Sequence, residues 1–214
     1  MKSKLLIATN NRGKVIELQD LLADIDVELL TPAQINLELE VEEDGSTYAE
    51  NASKKALAFA RASGLTSLAD DSGLEVDALN GAPGLYSARY GTPLQLSPFF
   101  PKIGGARLTD ADRRAYLLEN LRATQAPRPW TAHFHATIAI ASPSGEVQLA
   151  EGICPGEIIP EERGTGGFGY DPIFLLVERG HTMAELNMEE KNRLSHRARA
   201  VLAAKPILRK LFGK

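Results

Sequence analysis

The chain has 214 residues, with 24 Lys and Arg against 28 Asp and Glu, for a formal charge of −4. With 43% hydrophobic and 24% charged residues it has the balance of an ordinary globular protein, which excludes disorder and collagen-like sequence. The one cysteine, Cys154, excludes an intrachain disulfide and a cysteine-based zinc site. The acidic balance argues against sequence-independent nucleic-acid binding, which needs a basic field, but it leaves room for a local basic pocket for one small anion. No stretch is long and apolar enough to span a bilayer, and the run Leu5 to Ala8 is too short for a signal-peptide core, so no membrane contact and a cytoplasmic address are expected.

In chain order, Leu5-Leu6-Ile7-Ala8 reads as a buried strand, followed by the polar turn Thr9-Asn10-Asn11-Arg12-Gly13-Lys14. A helix follows, with Val15, Leu18, Leu22 and Ile25 on one face. Thr47 and Glu50 form a capping-box pattern that opens a second helix, lined by Ala49, Ala52, Ala56 and Ala60 and closed by Gly64. Thr66 to Ala69 predicts a short strand that ends in Asp70-Asp71-Ser72-Gly73. Residues 80–106 are rich in Gly and Pro and read as loop, and the part from Gly91 to Arg107 carries three prolines and no clear period. Thr109 opens a helix whose inner stripe is expected at Ala111, Ala115, Leu118 and Leu121. Ala132 to Ile140 alternates as a half-buried strand, and Val147 to Ala150 returns after the turn Ser142-Pro143-Ser144-Gly145. A strand at Ile173 to Val177 and a helix from about Ser195, interrupted or kinked at Pro206, complete an α/β chain with a mixed sheet.

Several segments carry chemistry. Thr9 to Lys14 lies between a strand and a helix, where backbone N–H groups attract anions and Lys14 reaches toward phosphate; the plain alternative is a capped turn. Glu42-Glu43-Asp44 and Asp70-Asp71 offer hard oxygens suited to Mg²⁺ if they converge, and are otherwise solvated acids. Gly164 to Pro172 spells G-x-G-x-x-G, but a strand rather than a helix follows, which rejects a nicotinamide-binding reading. Such a run lets backbone approach a flat ligand, with Phe168 or Tyr170 stacking on a base. Lys191, His196 and Arg197 form a basic cluster beside a helix start. His133 and His135 share a strand face and lack a third ligand nearby in sequence, so they read as ordinary strand histidines.

Taken together, Thr9-Asn10-Asn11-x-x-Lys14, Glu42 to Asn51, Ala69 to Leu74, Gly81 to Arg89, Gly164 to Pro172 and Glu190 to Arg197 closely resemble the inosine triphosphate pyrophosphatase family. The resemblance runs from residue 4 to about residue 200, with six motifs in the family's order. It implies a single domain over residues 1–214: a mixed, twisted central sheet flanked by helices, with two lobes and a central cleft. It also implies a homodimer and a Mg²⁺ requirement. By resemblance, Thr9, Asn10, Asn11 and Lys14 bind the triphosphate, Lys55 contacts phosphate and assists catalysis, and Ser72 touches substrate. Asp71 is the general base and a metal ligand, with Glu42, or its neighbour Glu43, as the second metal-binding acid. Phe168, Gly169, Tyr170, Asp171, Lys191, His196 and Arg197 match the base pocket. Asn10 departs from the family, where Gly is frequent.

The implied reaction is hydrolysis of deaminated purine triphosphates (ITP, dITP, XTP) to NMP and pyrophosphate. Asp70, as a close like charge, is one expected means of raising the pKa of Asp71. The rival readings are a pyrophosphatase that prefers modified pyrimidines and a non-catalytic nucleotide-binding regulator.

Overall fold

The computed structural model describes residues 2–91 and 108–213. Most of the proline-bearing segment expected as loop therefore lies outside the described residues. Seven strands form one sheet in the order β2-β1-β3-β4-β5-β6-β7. They are β1 (Ser3–Ile7), β2 (Val27–Leu30), β3 (Thr66–Val76), β4 (Trp130–Ala141), β5 (Val147–Ile158), β6 (Phe174–Leu176) and β7 (His181–Thr182). The helices are α1 (Arg12–Leu21), α2 (Tyr48–Ser63), α3 (Asp110–Thr124), α4 (Met188–Leu194) and α5 (His196–Phe212). β1 runs parallel to β2 and β3, whereas β6 is antiparallel to β5 and β7, so the sheet is mixed as expected. Among the described residues no helix is long and apolar enough to cross a membrane.

The chain divides into two compact units. The first holds residues 1–72, 135–153 and 192–214; the second holds 73–134 and 154–191. In the first unit, β1 is apolar at every inner position because both of its faces are covered. Leu5 and Ile7 join Leu18 and Leu22 of α1 and Val201, Ala204 and Leu208 of α5. Leu6 and Ala8 face Ala52, Ala56, Phe59 and Ala60 of α2. The alanine stripe of α2 brings that helix close to the sheet. It begins at Thr47, whose hydroxyl accepts from Glu50 N–H. The reciprocal bond of the expected capping box is displaced by one residue, with the Glu50 carboxylate accepting from Ser46 N–H at 2.7 Å.

Three expectations change. β3 does not stop at Ala69 but continues through Asp70-Asp71-Ser72-Gly73 to Val76. The acid pair looks like a turn in sequence, yet buried cations hold it inside the strand. On α3 the buried stripe is Leu117, Leu118 and Leu121, while Ala111 and Ala115 are exposed, because the large side chains win the inner face. Pro206 lies inside one helix, α5, and does not split it. The stretch read as loop after β3 also contains two short 3-10 turns, Asp77–Leu79 and Gly84–Arg89.

α5 packs on β5 at Gly152. A Cβ there would fall on the α5 backbone at His196, Arg199 and Ala200, which cannot swing aside as a side chain can. Gly152→Ala is therefore expected to lower unfolding free energy by about 1–3 kcal/mol, the usual range for overpacking. A urea titration followed by circular dichroism checks this; an unchanged midpoint would show that the helix can retreat without loss.

Candidate active site

The first unit gathers most of the expected phosphate and metal residues. β1 ends at Ile7, and the chain turns through Thr9, whose hydroxyl accepts from Asn11 N–H at 3.2 Å. Asn11 is the N-cap of α1, and its side-chain oxygen accepts from Lys14 N–H at 3.1 Å. The helix thus starts with its free N–H groups beside the β1 end, as an anion site needs. Lys14 turns inward and pairs with the carboxylate of Asp70, also donating to the Asp70 carbonyl at 3.4 Å. Burial pulls the Lys14 pKa down, against the pull of Asp70; Arg197 and Lys55 push it the same way as burial.

Strand alternation sends the two aspartates to opposite faces of the sheet. Leu68 packs with α1 and α5, whereas Ala69 packs with α2. Two residues on, Asp70 meets the first set and Asp71 the second. Asp70 is fully buried. It accepts from Arg197 Nε at 3.0 Å as well as from Lys14. Burial would raise its pKa, but the charges of Arg197 and Lys14 prevail and hold it far below the usual carboxylate range. Arg197 is only 1% exposed, and it also pairs with Glu17 of α1 and donates from Nη2 to the Ser72 hydroxyl at 3.1 Å. Sequence reasoning missed Glu17. The available signal was an acid three residues after Lys14, on the inner side of the same helix.

Asp71 behaves differently. Its Oδ1 accepts from Ser72 N–H at 2.9 Å, and its Oδ2 is buried without a hydrogen-bond partner among the described residues. Its pKa is raised, first by burial and then, against the opposing charges of Lys14 and Lys55, by Glu43. Burial comes first among the causes, rather than the like charge of Asp70, whose carboxylate the alternation turns the other way. Lys55 on α2 pairs with Glu43. Of the two adjacent acids expected for the metal, Glu43 is the one paired here. Residues 41–45 alternate in an extended segment, so Glu42 is exposed and Glu43 is turned inward. Glu43 and Lys55 line a cavity of about 340 Å³ together with Ala8, Thr9 and Asn10. Asn10 itself is exposed at the rim, and Ser72 is half-buried.

A hard cation fits this chemistry. Asp71 presents a buried carboxylate oxygen without a hydrogen-bond partner among the described residues, and the charge of Glu43 acts on it. Among the described residues no three His, Cys, Asp or Glu side chains are grouped to hold an ion alone. Such ions in phosphate sites take their remaining ligands from phosphate oxygens and water.

The second unit carries the glycine loop. Asp171, buried, accepts from Phe168 N–H at 2.9 Å and from Lys191 Nζ at 2.8 Å. Lys191 Nζ also lies 5.0 Å from the centre of the Phe168 ring, a cation–π distance. Tyr170 is buried, with its hydroxyl donating to the Ser87 carbonyl at 2.9 Å, and burial raises its pKa. A ring so placed anchors the loop, so of the two expected stacking rings only the half-buried Phe168 fits that role. His196 is buried at the first position of α5, in the first unit, where Ser195 caps the helix.

Residues 5–207 match the Ham1 family. A relative from Desulforamulus reducens named dITP/XTP pyrophosphatase is 47% identical over 209 residues, 98% of this chain and 97% of its own. A relative of the same name from Thermus thermophilus is 46% identical over 200 residues, 94% of this chain and 89% of its own. Among solved structures, a HAM1 protein from Coxiella burnetii superposes with a TM-score of 0.82 at 37% identity, covering 97% of this chain and 99% of that one. The Staphylococcus aureus Ham1 protein gives 0.79 at 36% identity, covering 98% and 100%. With sequence and fold agreeing over nearly its whole length, the chain belongs to the Ham1 family.

Proposed function

We propose that this chain is a nucleoside-triphosphate pyrophosphohydrolase that cleaves deaminated purine nucleotides, dITP, XTP and ITP, to the monophosphate and pyrophosphate. The names of its full-length relatives support the reaction class. The observation that carries the chemistry is the unpaired, buried oxygen of Asp71 with Lys14, Lys55 and Glu43 acting on it.

In this reading the water oxygen bonds to the α-phosphorus, the bond between that phosphorus and the α–β bridging oxygen breaks, and Asp71 takes the water's proton. In the metal-free chain burial raises the Asp71 pKa, the direction that favours a base; with Mg²⁺ bound, the ion's charge would act instead by lowering the pKa of the attacking water. Lys14 and Lys55 hold positive charge where the transition state gathers negative charge. Thr9, Asn10 and the α1 N-terminus bind phosphate, and Ser72 contacts substrate. Asp71 and Glu43 would hold Mg²⁺, which supplies charge neutralisation that makes pyrophosphate a better leaving group. Phe168 stacks on the base while Lys191 and backbone of the glycine loop supply donors; Asp171 fixes both. Hypoxanthine and xanthine present an acceptor oxygen where adenine presents an amine, so donors left unpaired by adenine give strong selection. Arg197 acts on substrate through Ser72, and His196 lies beside it in sequence. The protein works in the cytoplasm as a homodimer in this reading.

The test is pyrophosphate release over a panel of ITP, dITP, XTP, the four common triphosphates and modified pyrimidine triphosphates, with and without Mg²⁺. The expected result is Mg²⁺-dependent release from the first three; turnover confined to pyrimidines would replace this reading with the rival. Asp71→Asn is expected to keep ITP binding and to lower kcat by about 10³, within the span of general-base catalysis. Unchanged release would remove Asp71 from this role.

Asp70→Asn has a different expected effect. It takes the buried carboxylate away from Lys14 and leaves Arg197 with Glu17 as its remaining acid, and breaking a buried pair in this way typically costs about 3–5 kcal/mol. Because the folded pKa of Asp70 is depressed, its stabilisation is fully present above the unfolded value of ~3.9 and fades as pH falls below it. Urea midpoints of the metal-free proteins should therefore differ widely at pH 7 and converge below pH ~4. A constant gap across that range would show that Asp70 does not act through its charge.

A further inference from the structure

The two peptide groups that flank the Gly169 Cα are both held by α3. The Gly169 N–H donates to Asp110 Oδ2 at 2.7 Å, and its carbonyl accepts from Arg114 Nη1 at 2.8 Å. Arg114 is itself fixed by a two-pronged pair with Glu162, at 2.8 and 2.9 Å. Asp110 is fixed by Arg113, whose Nη1 also donates to the Leu108 carbonyl at 2.8 Å. All of these groups lie in the second unit. Charge-assisted bonds of this kind are the strong ones, and the planar fork of Arg adds direction.

Gly169 also has a left-handed backbone, φ +63°, and a Cβ on it would meet nothing within 4 Å. Open space on that side means no neighbour forces a glycine here; the backbone conformation does, and it leaves the approach to the peptide clear. One residue before it stands Phe168, whose ring lies against Lys191. A shift of the Gly169 peptide would therefore carry Phe168 with it.

We propose that Arg114, supported by Glu162 and matched by Asp110, is a specificity-determining positioning residue that sets the Phe168–Gly169 backbone against the purine base. This rests on the reading of that loop as the base-recognition element. Arg114 does not touch the reacting phosphates, so its loss acts on base binding and discrimination and leaves the hydrolytic step largely intact.

The experiment compares wild type with Arg114→Met, Arg114→Lys and Glu162→Gln, measuring kcat and KM for XTP and GTP with saturating Mg²⁺ and checking each fold by thermal melting. Loss of one charge-assisted bond predicts an XTP KM about tenfold higher in Arg114→Met, kcat within about twofold of wild type, and an XTP-to-GTP ratio of kcat/KM reduced about tenfold. Arg114→Lys, which keeps a donor for the carbonyl but not the fork, should recover part of that ratio; Glu162→Gln should lose a smaller part. Should Arg114→Met not fold, the other two variants decide. An unchanged ratio in the folded variants overturns the proposal, as does an equal loss for both nucleotides confined to kcat. Wild type that fails to discriminate XTP from GTP would instead count against the base-loop reading itself and remove the ground of this proposal.

Discussion

Arg197 and Asp70 bury opposite charges against each other, and the first unit is organised around that pair. The guanidinium bridges Asp70 and Ser72 of β3 to Glu17 of α1, and the other oxygen of Asp70 takes Lys14 from the start of the same helix. Three elements far apart in sequence are thus tied at one point. Removing either central charge leaves the other only part of its compensation in a medium that solvates it poorly. Hydrophobic packing alone would set α1 and α5 on the sheet with some freedom to slide. The ion network removes that freedom, and the Lys14 ammonium and Ser72 hydroxyl inherit fixed positions from it.

The neighbouring aspartate escapes the same fate because a strand alternates. Asp70 points toward α1 and α5 and is neutralised by Arg197 and Lys14; Asp71 points toward α2 and keeps an oxygen without a hydrogen-bond partner among the described residues. Two adjacent acids therefore sit side by side with opposed pKa shifts. The separation comes from the strand's continuing through the pair. Had β3 ended at Ala69, both carboxylates would face solvent in a turn, and neither shift would survive.

Much of this was legible in the sequence wherever the signal was local. The caps at Thr47, Thr109 and Ser195 mark helix starts because the bonds involved span three residues. The apolar run at Leu5 to Ala8 announces a strand covered on both faces. The phosphate turn and the acid pair were recognisable as motifs. What was not legible depends on partners distant in the chain. Glu17 and Asp110 look like ordinary helical surface acids until Arg197 and the Gly169 N–H are brought to them. The choice between Glu42 and Glu43 turns on the register of an extended segment, which neither residue encodes alone. Tyr170 looked like a stacking ring, and only the Ser87 carbonyl reveals it as an anchor.

The two units solve different problems with similar means. The first unit carries cations whose positions are fixed by buried acids. The second unit carries a glycine-rich backbone. Such a backbone is intrinsically loose, since each glycine loses more conformational freedom on folding than any other residue. It keeps one conformation only if something else holds it still. Asp171, Tyr170 and the α3 side chains provide that restraint without occupying the open side of Gly169. Gly169 keeps one side of the loop open, and the polar anchors behind it provide the rigidity that glycine cannot.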